Sequence, residues 1–98
     1  MIVRIVRMHF RPEVKEMILQ RLIGQAPKVR AFPGCLYLVL HQDAENTAIF
    51  YSISHWESPD ALEVYRQDAL FQDFWAEIKT HFAQPAQAFT LREPLLTM

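Results

Sequence analysis

The stretch His55-Trp56-Glu57-Ser58-Pro59-Asp60-Ala61-Leu62 marks the passage from a β-strand into an α-helix. Ser58 is suited to the N-cap position, where its hydroxyl accepts a hydrogen bond from a free backbone N–H. Pro59 fits the first helical position, and the positive end of the helix dipole favours Asp60. Aromatic residues then recur along the following segment: Tyr65, Phe71 and Trp75. The stretch therefore predicts a strand–helix junction beside an aromatic-walled pocket.

The N-terminal third predicts a strand followed by a helix. Residues 2–10 are dense in β-branched side chains and form the first predicted strand. Pro12 suits the start of a helix whose apolar face repeats at helical spacing. That face consists of Val14, Met17, Ile18, Leu22 and Ile23. Gly24 and Pro27 predict a break or kink, with a last helical turn over residues 28–31.

Two strands joined by a hairpin are predicted next. Phe32-Pro33-Gly34 is typical of a turn, and the apolar run of residues 35–41 follows it as the second strand. Residues 42–46 form a polar loop, and residues 47–55 form the third strand, antiparallel to the second.

The remainder predicts two helical segments and a last strand. A short helix ends near Tyr65 or Arg66, and Asp68 can cap another. The second helix carries an aromatic and aliphatic stripe that Pro85 ends, made of Phe71, Trp75, Ile78 and Phe82. Residues 86–92 form the fourth strand, and residues 93–98 form a C-terminal tail.

The element order β-α-β-β-α-β predicts an α+β, ferredoxin-like plait over residues 2–92, with helices on one face of a four-stranded antiparallel sheet. The first three strands carry apolar residues on both sides, so the uncovered face would be a large apolar patch. We therefore expect a homodimer with the two sheets face to face and with Leu95 and Leu96 of the tail reaching the partner.

The composition narrows the class of protein. The chain has 98 residues and a formal net charge of -1, and its Lys and Arg residues are scattered, so one domain and no nucleic-acid-binding face are expected. No apolar run approaches the roughly 20 residues that span a bilayer, and Arg4 and Arg7 interrupt the N-terminal apolar segment, unlike a signal peptide. A cytoplasmic protein with no membrane partner is expected. The single cysteine, Cys35, excludes an internal disulfide and predicts a small buried hydrophobe.

The chain resembles the antibiotic biosynthesis monooxygenase domain, a dimeric α+β barrel, from Ile2 to about Arg92. The resemblance rests on two motifs, Phe32-Pro33-Gly34-Cys35 and Trp56-Glu57-Ser58, and on the residues that follow the second one: Ala61, Leu62, Tyr65, Phe71 and Trp75. The family includes cofactor-free oxygenases of phenols and quinols, haem-degrading enzymes, an isomerase-like signal-processing enzyme and many members of unknown activity.

Two family mechanisms can be compared with this sequence. In phenol-oxidising members a strand Asn, the Trp of the Trp-Glu-Ser motif and a helix Tyr are implicated. Here those positions hold Ser52, Trp56 and Leu62, with Tyr65 nearly one turn beyond. The Asn, Trp and iron-ligating His of haem-degrading members fall on Val6, Tyr65 and Trp75, so the resemblance implies no proximal iron ligand, and haem degradation is less favoured.

The resemblance thus implies a cofactor-independent monooxygenase that oxidises a small phenolic or hydroquinone-type aromatic with O2, with neither metal nor cofactor. The alternative is a non-catalytic small-molecule-binding or structural dimer of the same fold. The expected substrate-binding residues are Ser52, Trp56, Tyr65, Phe71 and Trp75. The candidate catalytic residues are His9, His55 and Tyr65.

Each candidate also has a simpler structural interpretation. Large aromatic rings such as Trp56 and Trp75 more often anchor a core than take part in catalysis. His9 and His55 lie on the same side of the sheet as Val3, because side chains alternate along a strand. If this side is the open face, both histidines would face a partner subunit. His41 at a strand end and His81 on the outer part of a helix give no metal-ligand spacing.

Overall fold

Four strands and three α-helices make up the protein in the computed structural model, which describes all 98 residues. The elements are β1 (Ile2–His9), α1 (Lys15–Arg30), β2 (Cys35–Gln42), β3 (Ile49–Trp56), α2 (Pro59–Gln67), α3 (Ala69–Ile78) and β4 (Gln87–Arg92). Short 3-10 helices at Pro12–Val14 and Lys79–His81 precede α1 and follow α3. No helix combines the length and the apolar character needed to cross a bilayer.

The sheet has the strand order β2-β3-β1-β4, and every neighbouring pair is antiparallel. In the register, Ile5 lies opposite Ile53 on one side and Phe89 on the other. Val39 lies opposite Ile53 in the outer pair. The predicted ferredoxin-like plait is confirmed, with the second helical segment divided into α2 and α3 at Asp68.

The buried core forms two clusters at opposite ends of the helix-covered face. One cluster comprises Met8, Phe10, Ile18, Leu22, Phe50 and Ile78. The other comprises Ile2, Cys35, Trp56 and Leu62. Because side chains alternate across a strand, residues 4 and 6 of β1 face the helices between these two clusters. The middle of the sheet is therefore where the core is interrupted.

Helix α1 continues through Gly24 and Pro27, so of the predicted break or kink the break is wrong. A glycine in a helix costs only about 1 kcal/mol relative to alanine, and Pro27 removes a single backbone hydrogen bond, the one that an N–H at this position would donate to the carbonyl of Ile23. Ile18, Leu22 and Gln25 are buried along the same helix. Tertiary packing of this face outweighs the local preferences of the two residues.

The helix predicted to extend through Phe82 ends earlier, because α3 stops at Ile78 and a 3-10 helix follows. Phe82 adopts an extended backbone and forms an isolated β-bridge with Phe10. Its ring still lies 5.4 Å from the ring of Trp75. The predicted contact along the aromatic stripe is therefore present although Phe82 is not helical.

The turn before β2 is held against the start of α2. Gly34 has a φ of 89°, a left-handed conformation that glycine adopts without strain. A Cβ at this position would lie 2.7 Å from the Cβ of Ala61, so side chains are excluded there. The backbone N–H of Glu57 donates a 2.9 Å hydrogen bond to the carbonyl of Gly34. The two family motifs are thus in direct contact.

The predicted helix caps are confirmed. The hydroxyl of Ser58 accepts a hydrogen bond from the N–H of Ala61 at 3.1 Å, with Pro59 in the first turn. The carboxylate of Asp68 accepts a hydrogen bond from the N–H of Leu70 at 2.8 Å. These caps fix where α2 and α3 begin, and so orient the aromatic residues that they carry.

Candidate functional site

A cavity of about 260 Å³ lies between the helices and the middle of the sheet. Of its 20 lining residues, 15 are hydrophobic. Met8 and Ile78 belong to one core cluster and Leu62 to the other, so the cavity occupies the gap between the clusters. A largely apolar cavity with a few polar groups is the usual character of a small-molecule site.

One wall of the cavity is a continuous row of aromatic rings on α2 and α3. The ring of Tyr65 lies 5.3 Å from the ring of Phe71, edge to face. Phe71 in turn stacks on Trp75, with ring centroids 5.7 Å apart and an angle of 16° between the planes. All three line the cavity. Aromatic walls of this kind offer planar ligands both stacking and edge contacts.

Trp56 lies behind this wall and does not line the cavity. Its side chain is fully buried, and its indole stacks on Tyr65 with ring centroids 4.7 Å apart. The indole N–H donates a 2.9 Å hydrogen bond to the hydroxyl of Ser54, which does line the cavity. Trp56 therefore reaches the cavity only through Tyr65 and Ser54, which it positions.

Two serine hydroxyls of β3 lie on the floor of the cavity. Ser52 and Ser54 alternate with open-face residues along the strand and both face the helices. Because the hydroxyl of Ser54 accepts a hydrogen bond from Trp56, its own O–H proton remains available for another partner. Ser52 was predicted as a substrate-binding residue, whereas Ser54, two residues further along the same face of β3, was not.

Tyr65 is the third hydroxyl-bearing residue of the lining. Burial, with a smaller contribution from the nearby Cys35, raises the pKa of Tyr65 to about 12. The phenol therefore stays protonated throughout the physiological range, and it can donate a hydrogen bond but cannot act as a resting base. Of the roles predicted for Tyr65, this environment favours hydrogen-bond donation.

Two arginines that were not among the predicted site residues also line the cavity. Arg4 projects from β1 and Arg66 from α2. Arg4 donates a 2.7 Å hydrogen bond to the hydroxyl of Thr90 on β4. The alternation of side chains along β1 could have indicated this position, because Arg4 shares the helix-facing side of the strand with Val6 and Met8. A charged residue among the apolar residues of one strand face is unusual and indicates a functional position.

None of the four histidines lines the cavity. His9 and His55 lie on the open face of the sheet, opposite Ile49 and Val3, as their parity predicts. His55 packs against the ring of Tyr37 at 4.7 Å, and the Nδ1 atom of His9 is buried without a hydrogen-bond partner.

The other two histidines are also remote from the cavity. His41 lies opposite Tyr51 on the open face. The Nδ1 atom of His81 lies 3.3 Å from the guanidinium of Arg11. No histidine of the same chain is therefore placed to take a proton inside the cavity.

Other reactive groups are few. No group of three or more His, Cys, Asp or Glu side chains is arranged to hold a metal ion. Cys35 is buried, its thiol lies 3.6 Å from the carbonyl oxygen of Tyr37, and burial raises its thiol pKa. A thiol in this state is a poor nucleophile.

The sequence itself identifies the family. The family model described as antibiotic biosynthesis monooxygenase matches residues 1–77. This chain belongs to the antibiotic biosynthesis monooxygenase family. No protein with a curated description is significantly similar to the chain in sequence.

Several solved structures share the fold over nearly the whole chain. A crystal structure named as an antibiotic biosynthesis monooxygenase superposes with a TM-score of 0.90 at 22% identity, covering 96% of this chain and 99% of that one. A Mycobacterium tuberculosis protein gives a TM-score of 0.88 at 21% identity, covering 98% and 96%. A Pseudomonas aeruginosa protein gives 0.84 at 26% identity, covering 95% and 93%.

Proposed function

We propose that this member of the antibiotic biosynthesis monooxygenase family is a cofactor-independent monooxygenase that oxidises a small phenol or hydroquinone with O2. The observation that supports this most directly is the cavity itself, which has an aromatic wall and hydroxyl groups on its floor. It offers stacking surface for a planar ring and hydrogen-bond donors for the ring oxygen. At about 260 Å³ it suits a ligand of one or two rings.

The reaction needs no external reductant, because the substrate supplies all four electrons that reduce O2. A hydroquinone first loses a phenolic proton, and the resulting anion passes one electron to O2. The phenoxyl radical and superoxide then combine, forming a bond between a ring carbon and oxygen. The O–O bond of the hydroperoxide breaks, the ring C–H proton is lost, and water leaves. Hydroquinone and O2 thus give hydroxyquinone and water.

In this proposal the chain acts by binding, orienting and shielding. The rings of Phe71 and Trp75 hold the plane of the substrate, and Ser52, Ser54 and Tyr65 donate hydrogen bonds to the developing phenolate oxygen. Tyr65 is suited to this because its raised pKa keeps it protonated. The apolar lining excludes water and so strengthens these hydrogen bonds.

The phenolic proton is assigned to solvent. His9 and His55 lie on the far side of the sheet from the cavity, so neither is in reach of a substrate bound there. Donors that stabilise the phenolate make the cavity favour the anion, which forms by proton loss to bulk solvent before the substrate enters. This route predicts a rate that rises with pH until the free phenol is ionised.

The alternative of a non-catalytic binding protein is favoured by one observation. Ser52 and Leu62 stand where phenol-oxidising relatives carry Asn and Tyr, so two of the expected polar groups are replaced. Leu62 is buried in the core cluster around Trp56 and offers only apolar surface. A cavity of this kind could bind an aromatic molecule without activating it.

We further propose that the unit formed by residues 2–92 assembles as a homodimer through the open face of the sheet. An apolar row crosses all four strands there: Val39, Ile53, Ile5 and Phe89. Phe89 is 52% exposed, a large apolar surface to leave in water. Leu95 and Leu96 are also exposed, which supports a role for the tail in contacting the partner.

Oxygen uptake with a panel of hydroquinones and phenols tests the activity. Uptake should exceed spontaneous oxidation, and ¹⁸O₂ should place one labelled atom in the product and the other in water. Ser52→Ala and Tyr65→Phe should each lower kcat/KM, by about 100-fold for a lost transition-state hydrogen bond. Tyr37→Phe, on the open face, serves as the matched control for Tyr65.

The same assay separates the two functions. Uptake no faster than with heat-inactivated protein, together with a raised Tm in the presence of an aromatic ligand, would support the binding protein and reject the monooxygenase. Uptake that is unchanged in Ser52→Ala and Tyr65→Phe would show that the chemistry takes place outside this cavity.

A further inference from the structure

We propose that the cavity is built for an aromatic substrate that carries a carboxylate, and that Arg4 binds this carboxylate. The ring part of the proposal rests on the function proposed above, whereas the carboxylate part rests on Arg4 and its surroundings. It deepens that function by naming a substrate class, the hydroxylated aromatic acids.

Arg4 occupies a central position in the sheet. It lies on β1 with Ser54 opposite it on β3 and Thr90 opposite it on β4, and it faces the helices. The hydrogen bond to Thr90 is the one that its side chain makes. A guanidinium has five N–H groups, so most of its donors remain free. The planar fork matches a carboxylate better than it matches a single hydroxyl.

No acidic side chain neutralises Arg4. The ion pairs of the structure join Arg11 to Glu13, Arg21 to Glu77 and Arg66 to Glu63, and none includes Arg4. Arg4 is only partly buried, and an anionic ligand in the cavity would supply the missing counter-ion. The free charge is thus available to a ligand.

The surrounding charges point the same way. Burial lowers the pKa of Arg4, and the positive charge of Arg66 lowers it further, while Glu63 opposes them weakly. Arg66 also lines the cavity, and Glu63 already pairs with it at 3.4 Å. Two cations against one anion leave a net positive charge beside an otherwise apolar cavity. That field attracts an anionic substrate and disfavours a cationic one.

A purely structural role does not require this charge. The hydrogen bond from Arg4 to Thr90 joins neighbouring strands, and a neutral amide side chain could donate it equally well. Ser54 lies opposite Arg4 on β3, on the other side of β1 from Thr90, and its hydroxyl proton is also free. Arg4 and Ser54 therefore add polar groups to a cavity lining that also includes the rings of Phe71 and Trp75.

The test compares two ligands of similar size that differ in charge. Gentisate carries a carboxylate where 2-methylhydroquinone carries a methyl group. Their Kd values are measured without O2, by calorimetry and by tryptophan fluorescence. The wild-type protein should bind gentisate at least about 10-fold more tightly, as expected for a charge-assisted hydrogen bond.

Variants assign the preference to Arg4. Arg4→Gln should abolish the preference for gentisate and leave the affinity for 2-methylhydroquinone unchanged, whereas Arg4→Lys should retain part of it. Arg66→Gln should reduce it less, because that side chain is 44% exposed. Lys28→Gln removes the same charge from an exposed position of α1 and is the matched control. Melting temperatures show whether each variant is folded.

The outcomes separate this proposal from the proposed reaction. Equal wild-type affinity for both ligands, no binding of either at millimolar concentration, or a preference that persists in folded Arg4→Gln would each overturn the carboxylate site. If Arg4→Gln does not fold, the carboxylate site is still tested by the ratio of the two wild-type Kd values and by the loss of preference in Arg4→Lys. Preferential binding of gentisate without oxygen uptake leaves the site standing and rejects the monooxygenase. Oxidation of both compounds with equal affinity for them supports the monooxygenase and rejects the carboxylate site.

Discussion

The indole N–H of Trp56 donates a 2.9 Å hydrogen bond to the hydroxyl of Ser54, and both side chains are buried. The contact joins the family motif to the cavity floor. It also explains how a tryptophan that does not line the cavity can influence what binds there. Ser54 is held with its acceptor engaged and its proton free, ready to donate to a ligand.

Removing the hydroxyl of Ser54 should destabilise the protein more than removing that of Ser52. Ser54→Ala leaves the buried indole N–H of Trp56 unpaired, at a cost of about 1–3 kcal/mol in the free energy of unfolding. Ser52→Ala, on the same face of the same strand, should stay within about 0.5 kcal/mol. Urea denaturation measures both.

A double-mutant cycle isolates the hydrogen bond. Trp56→Phe combined with Ser54→Ala should cost less than the sum of the single changes, with a coupling of about 1 kcal/mol. Additive effects would mean that the hydrogen bond does not contribute to stability.

Gly34 should not tolerate any side chain. Gly34→Ala forces a Cβ to within 2.7 Å of the Cβ of Ala61 and requires a positive φ from alanine. We expect a loss of about 2–3 kcal/mol in the free energy of unfolding, from overpacking and backbone strain together. The midpoint of urea unfolding should fall accordingly.

Gly24 provides the matched control for this substitution. A Cβ there meets nothing within 4 Å, and the residue lies in the interior of α1. Gly24→Ala should therefore raise stability by about 0.5–1 kcal/mol, because alanine loses less backbone entropy in a helix. If Gly34→Ala is as stable as the wild type or more stable, the close packing of the Gly34 turn against Ala61 is ruled out.

Tyr65 should make the stability of the protein fall at high pH. Its folded pKa of about 12 lies above the unfolded value of 10, so the folded state holds the proton more tightly. Stability from this group is fully present below pH 10 and decreases between pH 10 and 12, by about 2–3 kcal/mol in total. Urea denaturation across this pH range gives the slope.

The comparison with two phenylalanine variants assigns the slope to Tyr65. Tyr65→Phe should lose less stability than the wild type between pH 10 and 12, while Tyr37→Phe, which removes a half-exposed phenol, should follow the wild type. Absorbance titration should show one phenol fewer ionising late in Tyr65→Phe. A wild-type titration with no late phenol would show that Tyr65 is more solvated than its burial implies.

The fold was predictable from the sequence because its signals are local. Ser58 and Asp68 mark helix starts by chemistry that depends on a few neighbouring atoms, and the structure has both caps. The break predicted at Pro27 was wrong because the local preference of proline opposes a helix that is stabilised elsewhere. Buried residues such as Leu22 stabilise that helix through contacts with parts of the chain that are distant in sequence. Local rules report preferences, and packing decides between them.

The candidate site was less predictable, because it depends on which strand face receives the helices. The aromatic wall followed from spacing on α2 and α3. Arg4 and Ser54 could be assigned to the cavity only after the register placed both on the helix side. The position of Trp56 behind the wall could not be predicted from the sequence. A tryptophan at a strand end has the same sequence pattern whether it lines a cavity or fills a core.

The open face of the sheet should hold two copies of the chain together. Ile53 is central to the apolar row, with Val39 and Ile5 opposite it on the neighbouring strands. Ile53→Glu should give a folded monomer, because buried charges oppose association across such a face. Ile23→Glu, at a 52% exposed position of α1, is the control and should remain a dimer. Sedimentation velocity at micromolar concentration distinguishes the two species. A monomeric wild type, or a dimer that survives Ile53→Glu, would place any interface elsewhere on the molecule.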